Sequence, residues 1–112
     1  MLNLAETAPD RRTIVMKKKD VERFEKVTGQ LKMVYKEITS LSKKSPNDGV
    51  NKFKLRLVNK LLEAANSLLD NKDKPFDDFF VFEEDTLPSN SDVAFILAQY
   101  LNCMENLSSE DF

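Results

Sequence analysis

The side chains with the most chemical potential are carboxylates, gathered in the stretch DDFFVFEED from Asp77 to Asp85. Clustered acids can hold magnesium, but such sites draw their ligands from helical spacings on facing helices that project into one pocket. Glu83, Glu84 and Asp85 are consecutive, which on a helix sends them to different sides. The neighbouring DNKDKPFDD does not fit a calcium loop, because Lys72 takes a ligand position and the central glycine is missing. The chain has no histidine and one cysteine, Cys103. That excludes a Cys/His zinc site, a Ser-His or Cys-His nucleophile pair and imidazole acid-base chemistry. Two distant glycines, Gly29 and Gly49, make neither a phosphate-cradling loop nor a dinucleotide fingerprint. Cys103 lies between Leu101 and Met104 and reads as a packed thiol. The expectation is a protein that is not an enzyme, with no cofactor, no metal and no small-molecule substrate.

What remains is binding. Phe76, Phe79, Phe80, Val81 and Phe82 are too large an apolar load for a solvated loop, each buried aromatic contributing about 1.5 to 3 kcal/mol. Two covers fit: the protein's own bundle, with the segment folded back as a lid and its acids in water, or a partner. On the second reading Phe76, Phe79, Phe80 and Phe82 are anchors, and Asp77, Asp78, Glu83, Glu84 and Asp85 set the sign of whatever approaches.

Charge is divided along the chain. The net charge is -2, yet all 17 Lys and Arg lie at or before Lys74, alongside 10 of the 19 acids, and no base follows. This asymmetry points to complementary association, within the fold or between copies, and a homodimer is the economical form. A second reading places nucleic acid on the basic part. Lys52, Arg56 and Lys60 recur every four residues, with Lys43 and Lys44 in the adjoining turn. Interspersed Glu22, Glu25, Glu37 and Glu63, and the lack of interleaved aromatics, weigh against it. Imitation of a nucleic-acid backbone by the acidic segment is a minor third reading, opposed by the basic portion.

These groups must be positioned by helices. Phe24, Val27, Leu31, Val34, Ile38 and Leu41 recur at spacings of three and four, predicting a helix over about 20–43 with Asp20 as N-cap. Gly29 sits mid-helix, as a close crossing or a bend. Pro46 and Gly49 break the pattern, and Asp48 is placed to cap a second helix over about 50–70. There Val50, Phe53, Leu57, Leu61, Ala64, Ala65 and Leu68 form one face, which Val58, Leu62 and Leu69 widen. After an acidic-aromatic connection at 71–90, Ser89, Asn90 and Ser91 offer caps for a third helix over about 91–108. Its face is Val93, Ile96, Leu97, Tyr100, Leu101, Met104 and Leu107, and the terminal SSEDF is expected to fray.

The fold class is therefore all-α, an elongated bundle of three main helices. Residues 1–12 read as a flexible tail and 13–112 as a single domain. Thr13 to Lys19 (TIVMKKK) is open to three readings: a strand, an arm docked on a neighbour, or a helix lead-in. With one cysteine, no signal-peptide pattern and no apolar run long enough for a membrane span, the expected compartment is the cytoplasm. The functional expectation is a non-catalytic, self-associating interaction module, serving as adaptor, accessory subunit or regulator.

Overall fold

The structure, a computed structural model, describes residues 18–111. Among these residues are three helices, α1 (Lys18–Lys44), α2 (Lys52–Leu68) and α3 (Asn90–Asp111), with one 3-10 turn, Asn71–Asp73, after α2. The helices pack together and no strand occurs among the described residues, as the sequence periodicity requires. Thr13 to Lys17 lie outside them, whereas Lys18 and Lys19 begin α1. At 1.5 Å per residue α1 is about 40 Å long. The bundle is accordingly elongated, 58 × 23 × 18 Å with a radius of gyration of 16.2 Å, against about 13 Å for a compact chain of this length.

Phe24, Val27, Leu31 and Ile38 carry the α1 seam into the core, and Val93, Leu97, Tyr100, Leu101, Met104 and Leu107 answer from α3. Helix α1 packs along both other helices, while α2 and α3 scarcely touch each other. The gap between them is closed by Phe79, Val81 and Phe82, which pack on the core cluster. The acidic-aromatic connection is thus a fourth packing element.

Several local expectations are corrected. Asp20 lies inside the first turn of α1 rather than capping it, where its charge still complements the helix dipole, as Lys43 and Lys44 do in the last turn. Helix α2 is capped by Asn51, whose side chain accepts from the Lys54 amide at 3.2 Å, and not by Asp48. A Cβ on Gly29 would meet nothing within 4 Å, so that glycine serves no close crossing. The backbone of α3 continues as helix through Asp111, beyond the point where fraying was expected. The largest correction concerns the face of α2. Phe53 and Leu57, predicted for the core, are 67% and 42% exposed. The buried line is Leu55, Val58, Asn59, Leu62, Ala65, Asn66 and Leu69.

One end of the bundle is tied by backbone. Gly49 and Ser89 form an antiparallel bridge; the Val50 amide donates to Pro88 O and the Asn90 amide to Asp48 O, both at 2.8 Å. Buried Asn90 adds its side-chain amide to Ser45 O at 2.8 Å. Ser89 is the α3 cap, its hydroxyl accepting from the Asp92 amide at 3.1 Å. Gly49 suits this close approach, since a Cβ there would stand 3.2 Å from Leu87 Cβ and 3.3 Å from Leu87 O, tighter than ordinary contact.

Candidate interaction surfaces

Two asparagines position the acidic-aromatic segment. Asn59 and Asn66 are seven residues apart on α2, two turns of one face. Asn59 donates to Phe82 O and accepts from the Phe82 amide, both at 2.9 Å. One side-chain amide thereby satisfies both backbone groups of one residue, as a neighbouring strand would. Asn66 donates to Phe80 O at 3.0 Å and accepts from the Tyr100 hydroxyl at 2.8 Å, joining α2, the segment and α3 at one buried point. Arg56 meets Glu84 at 3.4 Å. The segment therefore runs antiparallel to α2, residues 80, 82 and 84 meeting 66, 59 and 56 in turn.

This strap divides the phenylalanines. Phe79 stands edge-to-face with Phe82 (centroids 5.0 Å apart) and with Tyr100 (6.4 Å). Phe79, Val81 and Phe82 are partly buried against the core. Phe76 is half-buried beside Phe79, and Phe80 points outward at 54% exposure. Of the acids, Asp77, Asp78, Glu83 and Asp85 are exposed, while Glu84 is half-buried. Lid and surface are thus interleaved along one segment. An open pocket lies at its start, lined by Asn71, Lys74, Phe76, Asp77, Asp78, Phe79 and Phe80.

Lys43, Lys44, Lys52, Arg56 and Lys60 are all exposed, but Arg56 turns to Glu84 whereas Lys60 lines a groove between α1 and α2. The sequence did not disclose that groove, because Val34, Phe53, Leu57, Leu61 and Ala64 read as core positions and Met33 belongs to no periodic face. It has two continuous stretches sharing Met33, Val34 and Leu57: one reaches Gln30, Lys60, Leu61 and Ala64, the other Glu37, Ile38, Phe53 and Lys54. Met33 is 74% exposed. At the Phe53 end Glu37 pairs with Lys54 at 2.7 Å, and the ammonium's hydrogen bond and charge hold the Glu37 carboxyl below its ordinary pKa. Lys60 has no ion-pair partner among the described residues. A second inter-helix pair, Lys32 with Glu105 at 3.1 Å, braces α1 on α3.

Burial, helped by the charge of Asp73, pushes the Cys103 thiol up, away from the thiolate that reactivity requires. Burial likewise raises Tyr100, opposed by its bond to Asn66. Among the described residues no three His, Cys, Asp or Glu side chains are grouped to hold a metal ion, and no helix is long and apolar enough to cross a membrane.

Fold and surfaces together define an all-α bundle with a strapped aromatic segment on one side of α2 and, on the other, an apolar groove that the described residues leave uncovered. No family model, curated protein or solved structure matches the chain.

Proposed function

We propose that this protein is a non-catalytic helical interaction module that self-associates, a second copy seating on the α1–α2 groove. The observation that carries the reading is the exposure of Met33, Phe53 and Leu57 side by side over a floor of Val34, Leu61 and Ala64. Large apolar side chains gathered in one uncovered groove favour association. A copy of the same chain offers a matching apolar surface in Met33, Phe53 and Leu57. Lys60 stands at one end of the groove and Glu37 at the other. A two-fold axis near Met33 and Leu57 lays the apolar stretch of one copy on that of its mate and brings each Lys60 to the end where Glu37 is paired with Lys54. The helices then form a four-helix layer across the axis, the usual way to bury a second apolar stripe.

Light scattering coupled to sizing, from low to high protein concentration, tests this. The expected result is a dimer that Met33→Glu with Leu57→Glu converts to a monomer of unchanged helicity, since both side chains are solvent-exposed. A monomer at every concentration refutes the self-association.

A further inference from the structure

We propose that the pocket walled by Phe76, Phe79 and Phe80 takes the ammonium head of a lysine side chain, most tightly a methylated one, presented by a basic peptide. The Phe76 and Phe79 rings stand 6.5 Å apart at 78°, two nearly perpendicular walls of a corner, with Phe80 a third residue of the lining. A cation is drawn to aromatic faces by the ring quadrupole, provided it can shed its water. Methylation lowers that desolvation cost and adds methyl groups that pack on the walls. The corner is built in advance: Phe79 is held by edge contacts with Phe82 and Tyr100, and the strap at Asn59 and Asn66 fixes the backbone behind it. Little ordering therefore accompanies binding.

Charge selects the same ligand. Asp77 and Asp78 lie in the lining with their carboxylates exposed. The one basic residue there, Lys74, donates to Asn71 Oδ1 at 3.3 Å. Arg56 offsets Glu84, but Asp77, Asp78, Glu83 and Asp85 stand exposed along the segment, so its outward charge is negative. A peptide is favoured over an isolated small cation because the acidic line continues along the chain to exposed Glu83 and Asp85. The α1–α2 groove lies on the opposite side of α2, since Leu57 and Asn59 are two residues, or about 200°, apart around the helix. The two surfaces can thus fail or succeed separately.

The test is a titration of the full chain, followed by amide and aromatic NMR shifts, with three short peptides identical except for lysine, trimethyl-lysine or norleucine at the centre. The expected order is trimethyl-lysine, then lysine, then norleucine, with the shifts centred on Phe76 to Phe80. Phe76→Ala should weaken the trimethyl-lysine peptide about 5- to 30-fold. Asp77→Asn with Asp78→Asn, both at exposed positions, should weaken it several-fold at low salt and little at high salt. Norleucine binding as well as lysine overturns the proposal, as does the absence of any saturable shift. Phosphocholine vesicles are the final arm: binding to them in preference to the peptides overturns the assignment to a peptide lysine.

Discussion

Replacing Asn59 by Ala tests whether the strap is what makes the aromatic segment part of the fold. Two hydrogen bonds of 2.9 Å disappear, and the Phe82 amide and carbonyl lose their partners in a half-buried setting. Each such bond contributes about 1 kcal/mol net, and stranding buried groups costs more, giving about 2 to 3 kcal/mol in all. For a domain of this size that lowers Tm by about 10 to 20 °C. Chemical and thermal unfolding followed by circular dichroism measure it. Asn59→Asp sharpens the test. Its carboxylate still accepts from the Phe82 amide but faces the Phe82 carbonyl with no proton to donate, whereas the protonated acid restores the asparagine pattern. The carboxyl pKa is therefore raised in the folded state, and this variant, unlike Asn59→Ala, should recover stability as pH falls through that raised value. A loss below about 0.5 kcal/mol for Asn59→Ala, the range of neutral surface changes, would refute the reasoning.

Phe79→Ser should cost about 2 to 4 kcal/mol in chemical unfolding, because Phe79 packs on Phe82, Tyr100 and the core, while Phe80→Ser, at a side chain 54% exposed, should stay within about 0.5 kcal/mol; equal losses would contradict the division into lid and surface. Gly29→Ala should stabilise by up to about 1 kcal/mol, since the added Cβ meets nothing within 4 Å in mid-helix, and a loss in the same assay would mean that the glycine has a role the packing does not show. Glu37, depressed by Lys54 in the folded state, titrates below its ordinary 4.5; its contribution is present above the unfolded value and lost as pH falls through the folded one. In Lys54→Met the Glu37 midpoint, read from its carbon shift, should rise toward the ordinary value, and an unmoved midpoint would remove the ion pair as the cause.

How far the sequence disclosed this differs by element. In α1, and in α3 beyond the buried Asn90 of its first turn, the core positions are hydrophobic, so spacing alone located Phe24 to Ile38 and Val93 to Leu107. In α2 the period was sound but the phase was not. Phe53, Leu57 and Leu61 imitate a core row, and hydropathy cannot tell a stripe facing this chain from one facing a partner. The buried row carries Asn59 and Asn66, polar residues that depress its hydropathy and are tolerated because a segment 14 to 23 residues away supplies their partners. One signal was available: Leu55, Leu62 and Leu69, with Val58 and Ala65, keep a seven-residue repeat to which both asparagines belong. In DDFFVFEED the need for a cover was legible, but which phenylalanine turns inward depends on the backbone bonds at residues 80 and 82.

The central claim, association through the α1–α2 groove, is tested most directly by intermolecular nuclear Overhauser effects in a mixture of isotope-labelled and unlabelled chains. The account expects them between the Met33 methyl, the Phe53 ring and the Leu57 methyls of different copies, with Lys60 of one copy near Glu37 of the other. Intermolecular contacts centred on Phe80 instead, or none at concentrations where the wild type spans the dimer range, would contradict it.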